Sequence, residues 1–341
     1  MQNIFSSKKI FILGLITVIG IAFVATLSGV FVQAQAHKFV FIEGGKAYLS
    51  SDLSASKIAD NVEGMLAYNP TLEKYLYRIA QNGGDGHNHD SGSLVLADSN
   101  TGKTHVITTD VMTAALSPDG TQIAVWNGDN EIYLMTADGN EIARIGVHGA
   151  LPVFSHDGTY VAYNKLAEEG DRFFDLSEES PYGIAIYNLK TGEEEIITEN
   201  VHDFQPLGFS ADMSKLYFNS GRAYETTPEG FSNHVASLWV VDLKTKEVAR
   251  LTNTDEEAVR RGDKAPIIHA TALWSSDRKT VISSLEAESG VWQFSFSDDG
   301  KLVDAKQITD GTSPRWVVPG ESIAVRTKVG NRNEWKTINI K

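Results

Sequence analysis

Short apolar runs alternate with polar turns along most of the chain after residue 37. Residues 115–145 read ALSPDGTQIAVWNGDNEIYLMTADGNEIARI, in which Ser-Pro-Asp-Gly, Asn-Gly-Asp-Asn and Ala-Asp-Gly-Asn separate four apolar runs. Runs of this length bounded by Gly, Asp and Asn are typical of β-strands joined by tight turns, and helical periodicity is almost absent. The pattern therefore predicts an all-β fold of short antiparallel strands.

The same stretch recurs downstream in progressively looser form. VFSHDGTYVAYN (153–164), GFSADMSKLYFNS (208–220) and LWSSDRKTVISSL (273–285) repeat it, and degenerate copies begin at Leu66 and Pro314. Each copy continues into a second strand pair, so the unit has four strands, a to d. Tandem four-stranded units predict a β-propeller, whose blades pack around a channel. A sandwich would not explain a repeated four-strand cassette.

The number of blades depends on the two ends. Residues 38–62 read as strands b, c and d without an a, and the last copy, from Pro314, stops after three strands. Pairing of these partial copies would complete one blade and seal the ring, which removes free sheet edges. We therefore expect six blades in a domain spanning residues 37–341, with seven as the alternative if each partial copy forms its own blade.

The repeat resembles a known family. Ser117-Pro118-Asp119-Gly120 with Ile123-Ala124-Val125, followed by Ile132-Tyr133 and Asp138-Gly139, is similar to the repeat of TolB-like propellers, which are WD-like in architecture. The same repeat builds the propellers of prolyl oligopeptidase-type enzymes. The resemblance implies the fold, but it covers neither the N-terminal α/β domain of TolB nor a hydrolase domain, so their activities are not implied.

The first 36 residues differ from the rest. Lys8 and Lys9 precede an uncharged run from Ile10 to Val32, which as a helix would be roughly 35 Å long and would cross a bilayer. Gln33-Ala34-Gln35-Ala36 resembles a signal peptidase site. We expect either a retained single-pass anchor or a signal peptide cleaved after Ala36. Both place the propeller outside the cytoplasm.

Composition and charge exclude several classes of function. The chain has no cysteine, which rules out disulfides, thiolate metal sites and a cysteine nucleophile. From residue 37 onward, 28 basic and 44 acidic side chains give a net charge of −16, which repels nucleic acid. No Gly-x-Ser-x-Gly elbow or phosphate-binding glycine loop is present.

Insertions are concentrated in connections that share one face of the predicted propeller. The b-c connections beginning at Gln81, Lys165 and Ser220 are long, and so is a d-a connection beginning at Thr254. Elaborated loops on a rigid scaffold often carry function, so we expect this face to be the binding surface, although insertions without a partner are the alternative. The candidate binding residues are Phe173, Phe174, Asp175, Glu178 and Tyr224.

Two groups of side chains are candidate ligands for a divalent metal. His87, His89 and Asp90 lie within one glycine-rich loop and could bind a metal such as Zn²⁺. The alternative is that this loop is an ordinary exposed turn. A second group at the channel mouth comes from three d-a connections, where each histidine precedes an aromatic residue of the innermost strand. These histidines are His148, His202 and His269.

The sequence favours a non-enzymatic module that recognises an envelope protein or glycan, without an assigned cofactor. The alternative is a metal-dependent lyase or hydrolase with its site at the channel mouth.

Overall fold

The computed structural model describes residues 39–340 except for the connecting segments 44, 52–53, 70–71, 73, 81–91, 128–130, 166–182, 201–202, 221–236, 252–272, 276, 285–289, 319 and 330–331. The expected N-terminal helix, residues 1–36, lies outside the described residues. Within them, no helix is long and apolar enough to cross a membrane.

The described residues form twenty-six strands in seven antiparallel sheets, each ordered as its strands follow in the chain. We number the sheets as blades 1 to 7. Blade 1 contains β1 (Phe39–Glu43), β2 (Lys46–Ser51) and β3 (Ser54–Asp60). Blade 2 contains β4 (Val62–Asn69), β5 (Lys74–Ala80), β6 (Gly92–Asp98) and β7 (Thr104–Val111). Blade 3 contains β8 (Thr113–Leu116), β9 (Gln122–Trp126), β10 (Glu131–Thr136) and β11 (Glu141–Val147).

Blade 4 contains β12 (Gly149–Phe154), β13 (Tyr160–Lys165), β14 (Gly183–Asn188) and β15 (Glu194–Thr198). Blade 5 contains β16 (Asp203–Phe209), β17 (Lys215–Ser220), β18 (Ser237–Asp242) and β19 (Val248–Arg250). Blade 6 contains β20 (Leu273–Trp274), β21 (Thr280–Ser284), β22 (Val291–Phe296) and β23 (Leu302–Thr309). Blade 7 contains β24 (Thr312–Val318), β25 (Ser322–Val329) and β26 (Arg332–Asn339).

The predicted propeller of four-stranded blades is confirmed, with seven blades as in the alternative count rather than six. The two partial copies do not merge, because each contributes three strands and six strands exceed the size of one blade. Instead they form separate three-stranded sheets. The single residue Asn61 joins β3 to β4, as His148 joins β11 to β12, so blade 1 corresponds to strands b, c and d.

The innermost strands line the channel and contain three of the chain's nine prolines. β4, β8, β12 and β16 contact one another in succession, which places the first strand of each blade at the centre. Pro152, Pro206 and Pro314 lie in such strands, each beside a shift in register. Proline is tolerated there because an edge strand leaves backbone N–H groups unpaired on its outer side.

Apolar packing between neighbouring sheets forms the core. Among the described residues there are seven apolar clusters, and each joins two adjacent blades. Successive residues of β9 serve opposite interfaces, since Ile123 packs towards blade 2 and Ala124 towards blade 4. Both faces of an inner strand are therefore buried, which explains the continuous apolar run IAVW. Each fully buried large side chain contributes roughly 1.5–3 kcal/mol.

Side chains rather than a shared sheet join the last blade to the first. Phe41 of β1 stacks on Tyr48 with ring centroids 5.2 Å apart and meets Trp335 of β26 at 4.9 Å. Ala324 and Val317 of blade 7 complete this apolar contact. The ring thus closes by the same face-to-face packing as its other interfaces.

We predict that Phe41→Ala destabilises the protein by about 3–5 kcal/mol, because it leaves a cavity at the closing interface. The effect of Trp335→Ala should be smaller when Phe41 is already replaced, because the two rings contact each other. A double-mutant cycle should give a coupling energy of about 0.5–1.5 kcal/mol. Equilibrium urea unfolding measures both quantities. Val303→Ala, on an exposed position of β23 (64% exposed), is the control and should change stability by less than about 0.5 kcal/mol. Additive effects of Phe41→Ala and Trp335→Ala would contradict this closure.

Candidate functional site

The antiparallel order of each blade separates its connections into two faces. All b-c and d-a connections leave from one face, which we call the loop face, and all a-b and c-d turns from the opposite face, the turn face. The longest connections, 81–91, 166–182, 221–236 and 251–272, all attach to the loop face. This agrees with the arrangement expected from the sequence.

Most candidate site residues lie outside the described residues, and all of these except His202 fall within the long connections. They are the binding candidates Phe173, Phe174, Asp175, Glu178 and Tyr224 and the metal candidates His87, His89, Asp90, His202 and His269. The structure therefore fixes the face on which their segments begin and end, and their grouping remains a prediction.

His148 is the one metal candidate that the structure describes. It lies at the loop face between β11 and β12, is partly buried, and has a φ of 59°. The adjacent Gly149 packs so closely on Ile132 and Tyr163 that an added Cβ would lie 2.9 Å from both. The backbone around His148 is thus held firmly. Within the described ranges, no three histidine or carboxylate side chains cluster as metal ligands.

Two polar side chains near the ends of b strands, one buried and one partly buried, hydrogen-bond the backbone at the loop face. Asn164, at the end of β13, donates from Nδ2 to the carbonyl oxygens of Gly183 (3.2 Å) and Asp203 (3.0 Å). Arg78, at the corresponding position of β5, donates to the carbonyl of Met112 at 3.1 Å. These bonds tie the end of strand b to the following d-a junction, so the loop face has fixed attachment points.

On the turn face, the residues that define the repeat have a structural role. The hydroxyls of four serines donate to the carboxylate two residues later at 2.5–2.7 Å and accept the backbone N–H five residues later at 2.9–3.0 Å. The serine and aspartate pairs are Ser117 and Asp119, Ser155 and Asp157, Ser210 and Asp212, and Ser275 and Asp277. This network fixes the a-b turn.

These bonds lower the pKa of the four aspartates. For Asp119 the hydrogen bond from Ser117 is the main cause. Burial alone would raise the pKa of Asp157, Asp212 and Asp277, but their serine and backbone donors together outweigh it. Each carboxylate is therefore ionised and engaged within its own turn.

Several a-b turns of neighbouring blades contact one another, and we call the set of a-b turns of blades 2 to 7 the turn ring. Asn69 of blade 2 donates to the carbonyl of Pro118 at 2.7 Å. The imidazole of His156 in blade 4 hydrogen-bonds the backbone of Ala211 in blade 5. Ser275 of blade 6 lies against Gly320 of blade 7. The ring surrounds the end of the channel opposite the loop face.

Two basic side chains of the turn ring are close enough for their charges to interact. Burial, followed by the positive charge of Arg278, lowers the pKa of His156. Burial lowers the pKa of Arg278 itself to about 10. Sequence reasoning missed both residues, because it read these turns only as repeat markers. The available signal was an arginine in the position that glycine occupies in Ser117-Pro118-Asp119-Gly120.

A further guanidinium is buried beside blade 1. Arg315 of β24 donates to the carbonyl of Pro314 at 2.7 Å, and burial lowers its pKa to about 10, against a small opposing effect of Tyr75. Tyr75 belongs to blade 2, so this interaction reaches across blade 1, where strand a is absent from the described residues. Within those residues Arg315 has no carboxylate partner.

Comparisons with known proteins show the fold. No family model and no curated protein matches the chain. Among solved structures it is similar to TolB from Acinetobacter baumannii (16% identity, 84% of this chain and 67% of that one, TM-score 0.50). It is also similar to the open-velcro propeller domain of the Trilobed protease from Pyrococcus furiosus (12%, 89% and 94%, 0.52). A third similar structure is an oligogalacturonate lyase in complex with manganese (12%, 88% and 80%, 0.51). The expected TolB-like propeller fold is thereby confirmed.

We predict that the aspartates contribute a nearly constant stability from pH 7 to pH 5 and that this contribution falls as the pH drops from about 4 towards 2, whereas His156, whose pKa is lowered, already costs stability as the pH falls below 6.5. Thr245 and Lys215 lower the pKa of Asp242 to about 2, and Lys301 and Ser297 lower that of Asp299 to about 2, from an ordinary 3.8. A folded-state pKa below the unfolded value stabilises the protein above the unfolded pKa, and this contribution is lost on acidification. Thermal unfolding across this pH range measures it.

Asp157→Asn tests the turn network within the same experiment. The variant should unfold at lower temperature at pH 7 and lose less stability on acidification, because one of the linked carboxylates is gone. Asp304→Asn, at an exposed position of β23, is the control. Equal acid sensitivity of Asp157→Asn and the unmodified protein would contradict a structural role of the turn carboxylates.

Proposed function

We propose that the protein is a binding module of the cell envelope, located outside the cytoplasm, that recognises a protein or glycan partner through its loop face. One observation carries the proposal: every long connection attaches to this face, whereas the turns of the opposite face are short. Unequal elaboration of two faces built from the same repeats is typical of a scaffold that presents loops to a partner.

The residue types in these connections support recognition of a macromolecule. The segment 166–182 combines Phe173 and Phe174 with acidic side chains, a composition suited to a partner with apolar and basic groups. The chain's net charge of −14 favours a basic partner and disfavours nucleic acid. The envelope location rests on the residues before 37, which suit a single-pass anchor or a cleaved signal peptide.

The strand pairing allows the loops to be removed cleanly. Ala80 pairs with Gly92 and Lys165 with Gly183, so the strands on either side of each loop meet as hairpins. A two-residue Asn-Gly turn suits such a hairpin. Replacement of residues 81–91 or 166–182 by Asn-Gly should therefore retain the blades.

We predict that the two Asn-Gly variants unfold within a few degrees of the unmodified protein and lose partner capture. Chemical cross-linking in envelope fractions, followed by identification of the captured species, measures the loss. Phe173→Ser with Phe174→Ser should weaken capture at least tenfold, and Val303→Ser on the outer strand β23 is the matched control. Undiminished capture by both loop variants would overturn the assignment of the loop face.

A metal-dependent lyase or hydrolase is the second candidate. It is favoured by the described position of His148 at the loop face and by the manganese named for the similar lyase structure. Here His148, His202 and His269 would hold a divalent ion, with His87, His89 and Asp90 as a separate possible set. Imidazole and carboxylate ligands suit Zn²⁺ or Mn²⁺.

We predict under this second candidate that protein purified without a histidine tag holds one equivalent of metal, measured by elemental analysis. Replacement of His148, His202 and His269 by alanine should remove it, whereas His105→Ala, in the outer strand β7, should not. Protein without stoichiometric metal after incubation with Zn²⁺ or Mn²⁺ would end the enzyme candidate and leave the binding module unaffected.

A further inference from the structure

The fourth position of the a-b turn requires a left-handed backbone. It is occupied by Gly120 (φ 69°) and Gly158 (70°) in blades 3 and 4, and by Met213 (63°) and Arg278 (59°) in blades 5 and 6. Residues with a Cβ rarely adopt this conformation, and glycine adopts it without strain. A side chain retained at such a position points to a role for that side chain.

Met213 and Arg278 differ in what their side chains gain. Met213 packs against the apolar cluster between blades 4 and 5, so burial offsets its backbone strain. Arg278 is partly buried, and within the described residues its guanidinium has no hydrogen bond and no ion pair. A desolvated cation without an acidic partner is unfavourable unless something else compensates it.

His156 supplies a second unpaired polar atom on the same face, a ring nitrogen that becomes a donor when the imidazole is protonated. It stands in the position of Pro118 in the repeated turn, and its imidazole bonds the backbone of Ala211. Its Nδ1 is buried and has no hydrogen-bond partner among the described residues. The turns of blades 4 and 6 therefore place an imidazole and a guanidinium on the same face, within the range at which their charges interact.

The aspartates of the turns in blades 4 and 6 are already engaged. Asp157 accepts hydrogen bonds from the hydroxyl groups of Ser155 and Thr159, and Asp277 accepts from the hydroxyl of Ser275 and the backbone N–H of Lys279. Asp157 and Arg278 are the charged groups that act on His156, with opposite effects. Neither carboxylate is paired with the guanidinium of Arg278.

We propose that Arg278 and His156 form an oxyanion-binding site in the turn ring, at the end of the channel opposite the loop face. A guanidinium binds the two oxygens of a carboxylate or phosphate in a planar fork, and a protonated imidazole adds a further donor. A bound oxyanion neutralises the unpaired Arg278 and gives Nδ1 of His156 a partner. The site is independent of the proposed loop-face binding, since it lies on the other face.

Arg278→Gly is a matched test, because it installs the residue that blades 3 and 4 use at the same position. The variant should fold and unfold at the same or higher temperature, since glycine relieves the left-handed strain, while the cation is removed. Lys103→Gln removes one positive charge from another exposed turn of the same face and is the control. The probes are sodium phosphate and sodium acetate, compared with sodium chloride at constant ionic strength.

Two quantities are measured: the affinity for each anion and the pKa of His156. NMR of histidine-labelled protein reports the pKa. In the unmodified protein and in Lys103→Gln, an oxyanion should raise the pKa of His156, since bound negative charge favours the imidazolium. Arg278→Gly should bind at least tenfold more weakly. A response to phosphate but not to acetate would assign a phosphate site, whereas a response to acetate would assign a site that accepts carboxylates. Equal responses in all three proteins, or none above that to chloride, overturn the proposal.

Discussion

Packing between neighbouring sheets is the interaction on which the rest of the structure depends. A blade of three or four short strands has two apolar faces, and neither is covered until a neighbour lies on each side. Ile123 and Ala124 of β9 show the requirement at adjacent positions, since each packs against a different blade. A linear array of blades would leave two faces exposed. The contact of Phe41 with Trp335 removes both and makes the array a ring.

The ring imposes different constraints on its two faces. On the turn face, neighbouring a-b turns touch, so their shape is fixed and the serine and aspartate of each turn satisfy its backbone groups. On the loop face, the strand ends are anchored by residues such as Asn164, and the segments between them vary in length without disturbing the blades. Insertions therefore collect on one face for a physical reason, and this asymmetry supports the binding function that we propose for that face.

The sequence predicted the blades because their determinants are local. The turn from Ser155 to Gly158 needs a hydroxyl, a carboxylate and a residue with positive φ. The residue types Ser, Asp and Gly can be read directly from the sequence. The blade count was harder to predict, because closure depends on contacts between the two ends of the chain. Phe41 and Trp335 are separated by most of the sequence, and nothing in either neighbourhood distinguishes a shared blade from two packed ones.

The same difference between local and long-range determinants explains why the sequence did not identify His156 and Arg278 as candidate site residues. Each lies in a turn that matches the repeat, and their proximity follows from the arrangement of blades 4 to 6 in the ring. In a chain with net charge −14, a cation on the surface is readily neutralised by nearby acids. The guanidinium of Arg278 is not neutralised in this way, because the aspartates of the neighbouring turns are hydrogen-bonded within those turns. More distant surface charges are screened by salt over about 10 Å. The oxyanion proposed at the channel end would supply the negative charge that the carboxylates of these turns do not give to Arg278.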